Sequence, residues 1–344
     1  MYDIDMASMA PIAPTTSGAG NVDQGGDSHV PRTLVHKTAD AEVLLLAVRP
    51  LGGDRYAVSG RWPDDHLLHH RGADGRRDSL VVVETMRQAG ICISHRFYGV
   101  PEGHAFVLHG FEFHLDAPLR DSGEGADVVF DVEVRRVPGS SRRVRLESEA
   151  AIVVGGRVVG RAAMRWDALP PAQYALVRSR SAAAAAPFDV IDPVVEARVL
   201  SPAAVGRDRD DAVLLADTGD TASGWRLRGE TGHPALFDHG SDHVPGMVLV
   251  EAFRQACLVR AAQDVSGDAS GDASRDWAVD SVQASFLAFG ELGQPVTIVA
   301  EPEGPGSYRL AAQQGPRTLA TALVQGGTAT RPDALMAGAG VAAC

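Results

Sequence analysis

Cysteine is scarce in this 344-residue chain: Cys92, Cys257 and Cys344 are the only three, and they have no metal-type spacing. That excludes a disulfide framework and a cysteine-built zinc site, and reads as reduced thiols in a cytosolic protein. Basic side chains are in deficit, 32 against 44 acidic. A nucleic-acid surface is therefore not expected, although a local basic pocket can still hold an anionic substrate. No apolar run approaches membrane-spanning length, and Met1-Tyr2-Asp3-Ile4-Asp5 lacks the basic start and apolar stretch of a secretory signal. The expectation is a soluble, cytoplasmic protein with neither nucleic acid nor membrane as a partner.

What is present is a pattern that occurs twice. Val83-Glu84-Thr85-Met86-Arg87-Gln88-Ala89 returns as Val250-Glu251-Ala252-Phe253-Arg254-Gln255-Ala256. Upstream, the segment from Val35 to Leu45 aligns without gaps on Val205 to Leu215: Val35, Asp40, Val43, Leu44 and Leu45 recur identically, and Lys37 becomes Arg207. Two matched blocks in the same order, offset by roughly 170 residues, indicate a duplicated domain and not a short solenoid repeat. The length suits two domains, each able to bury its own core.

Composition divides the chain into a loose tail over residues 1–32, a first domain over 33–180, an alanine-rich linker over 181–190, a second domain over 191–327 and a loose tail over 328–344. A short alanine helix is the rival reading of the linker. Gly267 to Ser274 looks like a surface-loop insertion. Val128, Phe130, Val132 and Val134 alternate with polar residues, as do Val144, Leu146, Ser148 and Ala150, with a turn at Pro138-Gly139 between them. This predicts a long antiparallel hairpin. One substantial helix is predicted per half, Ser79 to Phe97 with Asp78 as N-cap and Gly246 to Ala262 with Pro245 at its start. The Val81-Val82-Val83 run argues against the first helix on propensity, and the better helix formers of the second copy argue for it. The class is α+β, an antiparallel sheet wrapped around a helix in each half.

On such helices Glu84, Arg87 and Gln88, or Glu251, Arg254 and Gln255, share one face. An isolated Glu-x-x-Arg is usually a surface ion pair worth about 0.2–0.5 kcal/mol. Flanked by Val, Leu, Ile and Ala, this one is expected to be buried, where a carboxylate can be poised for general-base work. His66, His69 and His70 have no carboxylate or thiol at ligand spacing, so no metal is expected, and no cofactor. Lys37 and Arg207 read as solvated strand-end charges or as guides for an acidic partner surface. Cys92 and Cys257 read as buried structural thiols.

His233 to Met247, with His239, His243 and Pro245-Gly246 ahead of the helix bearing Glu251, resembles the hydroxyacyl-thioester dehydratases of the hot-dog fold. His239 is the nearer match to their histidine. It stands two residues closer to Glu251 than their pattern has it, which weighs against simple dehydration. The duplicated Glu-x-x-Arg-Gln-Ala, the Phe237-Asp238-His239-x-x-Asp242-His243-Val244-Pro245-Gly246-Met247 segment and the Val35-His36-Lys37 opening together resemble the A-factor synthase (AfsA) family. The resemblance covers roughly Leu34 to Gly327 and implies a tandem (double) hot-dog. It also implies an acyltransferase that joins a β-ketoacyl group, carried on an acyl carrier protein, to dihydroxyacetone phosphate on the way to a γ-butyrolactone, butenolide or furan signal.

The alternatives are a hot-dog dehydratase or thioesterase, or a non-catalytic acyl-ligand binding protein. In the transferase reading Glu251 or Glu84, alone or with His239 or His243, is the base, and replacing Glu251 with Gln is expected to abolish turnover. Backbone N–H groups at Gly246 and Met247 hold the oxyanion. Arg254 or Arg87 binds the phosphate, and Gln88 and Gln255 orient either partner. Which half supplies the base stays open.

Overall fold

The computed structural model describes residues 30–72, 75–120, 126–139, 143–184, 197–219, 224–229, 232–238, 240–266 and 277–328. The first half runs β1 (Leu45–Gly52), β2 (Arg55–Trp62), α1 (Val81–Phe97), β3 (Ala105–Leu115), β4 (Ala126–Arg136), β5 (Val144–Val154) and β6 (Arg157–Leu169). A connecting helix α2 (Pro171–Ala184) follows. The second half runs β7 (Arg198–Val199), β8 (Leu215–Asp217), β9 (Trp225–Leu227), α3 (Gly246–Ser266), β10 (Trp277–Phe286), β11 (Thr297–Gly304), β12 (Ser307–Gln314) and β13 (Arg317–Thr328).

These strands make one 13-stranded sheet in the order β1-β2-β4-β5-β6-β3-β10-β13-β12-β11-β9-β8-β7. Apart from the two-residue β7 at its end, the order is a palindrome of equivalent strands about the antiparallel β3–β10 seam, which runs from Ser285 opposite Gly110 to Ser281 opposite His114. Each half of the sheet packs on one helix, β1, β2, β3 and β6 on α1 and β8 and β10 to β13 on α3. Two sheet-wrapped helices joined edge to edge form the double hot-dog.

Burial explains why Val81-Val82-Val83 is helical. Between Val81 and Ser94 every residue of α1 is buried except Arg87. A helix apolar on all sides belongs inside a protein, and packing there outweighs the modest helix preference of β-branched residues. Its polar residues are satisfied locally: Thr85 Oγ1 donates to Val81 O (2.7 Å) and accepts from Trp62 Nε1 (2.9 Å). Ser94 likewise donates to Gly90 O and accepts from Trp166 Nε1. A Cβ at Gly90 would stand 3.2 Å from the Trp166 ring, so glycine there allows the tryptophan to lie against the helix.

The boundaries differ from expectation in physically readable ways. The hairpin is β4–β5. α1 begins at Val81 because Ser79 and Leu80 belong to a tight lead-in, with Asp78 Oδ1 accepting the Leu80 N–H at 2.9 Å. α3 continues to Ser266, past Ala262. The first four residues of the expected linker, Ser181 to Ala184, are the end of α2, so the alanine-helix reading holds for them. Val30 is buried, its N–H on Leu45 O, so packed chain begins before Arg32. The Gly267–Ser274 insertion, residues 185–190 of the linker, the tail beyond Thr328 and residues 1–29 lie outside the described residues.

Candidate active site between the two halves

The duplicated motif builds the same clasp twice. Glu84 accepts from Arg87 Nε and Nη2 (both 2.9 Å) and from Gln88 Nε2 (2.8 Å), and Glu251 accepts from Arg254 Nε and Nη2 (both 2.9 Å) and from Gln255 Nε2 (2.7 Å). Each glutamine then grips the turn ahead of an equivalent strand, β1 in the first half and β8 in the second. Gln88 accepts the Leu44 N–H and donates to Glu42 O, while Gln255 accepts the Leu214 N–H and donates to Ala212 O. Both amides are fully buried. They orient the glutamates and the chain, and neither faces a substrate. Gln88→Leu or Gln255→Leu leaves a buried N–H and a buried carbonyl unpaired, so each is expected to lower stability by about 1–3 kcal/mol in a denaturant titration. Wild-type stability in either variant would show that the clasp is dispensable.

The copies diverge where Lys37 becomes Arg207. Lys37 Nζ lies 3.2 Å from Glu84 and 3.6 Å from Glu42. Arg207 reaches farther. Its Nε and Nη2 bind Glu251 (2.8 and 2.6 Å), Nη1 donates to Leu68 O (2.6 Å) and Nη2 to Asp78 Oδ2 (2.9 Å), both of these in the first half. Lys37 and Arg207 are thus buried ion-pair partners and not solvated strand ends. Burial alone would raise Glu251, but Arg207 and Arg254 bring it down to about 2, and Asp78 is likewise held well below its usual value. Glu84 is treated the same way: Arg87 and Lys37 overcome its burial and hold it well below the carboxylate range. None of these carboxylates is poised near neutrality, contrary to the expectation for a general base.

Among the described residues the first copy, and not the second, borders the cavity between the halves. A cavity of about 550 Å³ lies between the halves, bordered by Lys37, Glu42, Glu84 and Arg87 from one and His243, Gly246 and Met247 from the other, with an apolar limb that includes Ile91, Phe106, Leu108, Phe286 and Phe289. Glu251, Arg254 and Gln255 do not line it, and the space beside Arg254 is a void of about 10 Å³. Arg207 has filled the second copy.

The start of α3 faces this cavity. Pro245 O accepts the N–H groups of Val248 and Leu249, leaving those of Gly246 and Met247 without a backbone partner among the described residues. Two free amides at the positive end of a long helix suit an oxyanion. Just upstream, His243 Nδ1 is 2.7 Å from Asp242 Oδ1. Asp242 is fixed by α2, accepting from Tyr174 OH (2.7 Å) and from Arg178 Nε (3.0 Å). These contacts outweigh burial and hold Asp242 at about 2. Burial lowers His243 below its ordinary value, against the pull of Asp242, so at neutral pH its ring is uncharged. Asp242 as acceptor puts the Nδ1 proton between them and leaves the Nε2 lone pair available. His239, the other histidine expected here, lies outside the described residues.

The structure also assembles residues the motif reading passed over. His69 is buried against the cavity, stacked on His66 (ring centroids 5.1 Å apart), with Nδ1 3.7 Å from Asp78 Oδ2. His66 and His233 stand at equal spacing from Glu84 and Glu251, and each uses Nδ1 to accept backbone N–H from the residues after it. Glu42 is the clearest missed signal, an acid in the matched block where the other copy has Ala212. No His/Cys/Asp/Glu group able to hold a metal occurs among the described residues. Cys92 and Cys257 are buried, and burial raises both thiols.

The model of the A-factor biosynthesis hotdog domain matches residues 21–170 and 192–329. The chain belongs to this family. A Streptomyces virginiae relative named 2-oxo-3-(phosphooxy)propyl 3-oxoalkanoate synthase is 32% identical over 306 residues, covering 86% of this chain and 97% of its own. A Streptomyces coelicolor relative of the same name is 35% identical over 234 residues, 67% of this chain and 72% of its own. Among solved structures, an acyl-ACP thioesterase from Bacteroides thetaiotaomicron VPI-5482 overlays with a TM-score of 0.48 and 12% identity, over 80% of this chain and 98% of that one. In this A-factor biosynthesis family member no helix among the described residues is long and apolar enough to cross a membrane.

Proposed function

We infer that this protein is a 2-oxo-3-(phosphooxy)propyl 3-oxoalkanoate synthase, an acyltransferase joining a 3-oxoacyl thioester to the free hydroxyl of dihydroxyacetone phosphate. Two relatives of that name, at 32% and 35% identity, support the reaction. The observation that carries the mechanism is the meeting of His243 with the free α3 amides at one cavity that also has an apolar limb. The acyl chain occupies that limb. His243 Nε2 takes the hydroxyl proton, and the oxygen attacks the thioester carbonyl. Gly246 and Met247 N–H hold the oxyanion. Collapse breaks the C–S bond, and the departing thiolate receives the proton from His243. The donor is an acyl carrier protein thioester, and the reaction takes place in the cytoplasm.

Glu84 takes no proton in this scheme. It fixes Arg87, whose Nη1 makes no hydrogen bond to a described residue and is placed to donate to the 3-oxo carbonyl of the acyl group. Mass spectrometry of the protein with a 3-oxoacyl thioester should find a phosphorylated ester only when dihydroxyacetone phosphate is added. Thioester loss without it would favour a thioesterase or dehydratase. The acid limb of the kcat/KM profile should fall below pH 6.5, since burial lowers His243 and only its neutral form is the base. A limb above that value would point to another group.

A further inference from the structure

The acceptor is a dianion entering a protein of net charge −12, so a local cation has to recognise it. Most cations facing the cavity are already neutralised. Lys37 lies between Glu42 and Glu84, and Arg87 is held bidentately by Glu84. A guanidinium whose charge is cancelled by a bonded carboxylate can still donate to a neutral carbonyl, but it offers a phosphate little net attraction.

Arg317 is different. It lines the same cavity at the start of β13, and its hydrogen bonds to described residues go to neutral oxygens: Nη1 donates to Ser181 O (3.1 Å) and Nη2 to Ser181 Oγ (2.9 Å). Among the described residues no carboxylate lies within ion-pair distance of it. The nearby Glu291 is held by Arg178 through both its oxygens, at 2.9 and 3.0 Å. Glu291 therefore attracts Arg317 only at longer range, and the Arg317 guanidinium faces the cavity from a half-buried position with no carboxylate bonded to it among the described residues. We propose that Arg317, together with the Ser181 hydroxyl, is the anchor for the phosphate of the acceptor. This rests on the synthase reading above and assigns the phosphate to a residue outside the duplicated motif. Arg317 is a binding residue in this role, with no part in proton transfer.

A purely structural alternative exists, because an arginine on Ser181 O also caps the C-terminal turn of α2. The two roles separate when the acceptor is changed. Wild-type protein and R317Q are compared with dihydroxyacetone phosphate and with dihydroxyacetone, which lacks only the phosphate, using one 3-oxoacyl thioester. The anchor role predicts that the preference for the phosphorylated acceptor, as a ratio of kcat/KM values, falls roughly 10- to 100-fold in R317Q, mostly through KM. Inhibition by inorganic phosphate should weaken in parallel. R317K, which keeps the charge and loses the planar fork, should fall between, and it provides the same readout if R317Q does not fold. An unchanged preference in both variants, or its loss in R87Q instead, overturns the assignment. Absence of any phosphorylated ester from wild-type protein would instead overturn the synthase reading.

Discussion

Arg207→Met is expected to lower the free energy of unfolding by about 3–5 kcal/mol, seen as a lower urea midpoint with an unchanged slope. Arg207 joins Glu251 and Arg254 of its own half to Asp78 and Leu68 O of the other. Removing it leaves two buried carboxylates with Arg254 as the remaining guanidinium beside them and His69 near Asp78, and an undercompensated buried charge costs far more than an exposed pair would. The effect is pH-dependent with a definite sign. Glu251 is depressed from 4.5 to about 2, so its contribution is complete above the unfolded value and disappears as pH falls through that window. Wild-type and variant should therefore converge in stability in acid. Because Arg207 and Glu251 act as a unit, R207M/E251Q should cost less than the sum of the single changes. A loss under about 1 kcal/mol for R207M would mean that water reaches this cluster.

His243→Ala is expected to reduce kcat by about 10²–10⁴-fold while the denaturation curve stays near that of the wild type, since His243 is the base of the scheme and part of a partly exposed loop. Asp242→Asn should produce a smaller loss and move the acid limb to still lower pH, because the carboxylate is what raises His243 against its burial. Glu251→Gln serves as the contrast. The duplicated motif alone made Glu251 a candidate base whose loss abolishes turnover, yet its side chain is sealed behind two arginines and does not line the cavity. It should show in the unfolding curve and leave kcat within a few fold of wild type. Full activity in H243A with loss in E251Q would reverse these assignments.

Much of this was legible in the residues. The repeat predicted two equivalent halves, and alternation at Val128 to Val134 and Val144 to Ala150 predicted the β4–β5 hairpin. Gly246 and Met247, where the α3 amides face the cavity, followed from Pro245 at a helix start. What was not legible depended on three-dimensional closure. Sequence treats Glu84 and Glu251 alike, and only the reach of a guanidinium compared with an ammonium decides which copy is open. A shared helix face also cannot tell whether Gln88 turns to a substrate or to Leu44 N–H and Glu42 O. Arg317 belongs to no motif, and it meets Ser181 only because α2 returns across the start of β13.

The filling of the second copy by Arg207 also fixes a stoichiometry. Among the described residues one copy of the duplicated motif borders the large cavity, although the architecture could have held two such spaces. On the synthase reading, titration with a 3-oxoacyl thioester is expected to saturate at one equivalent per polypeptide, and two equivalents would show that the second copy also binds.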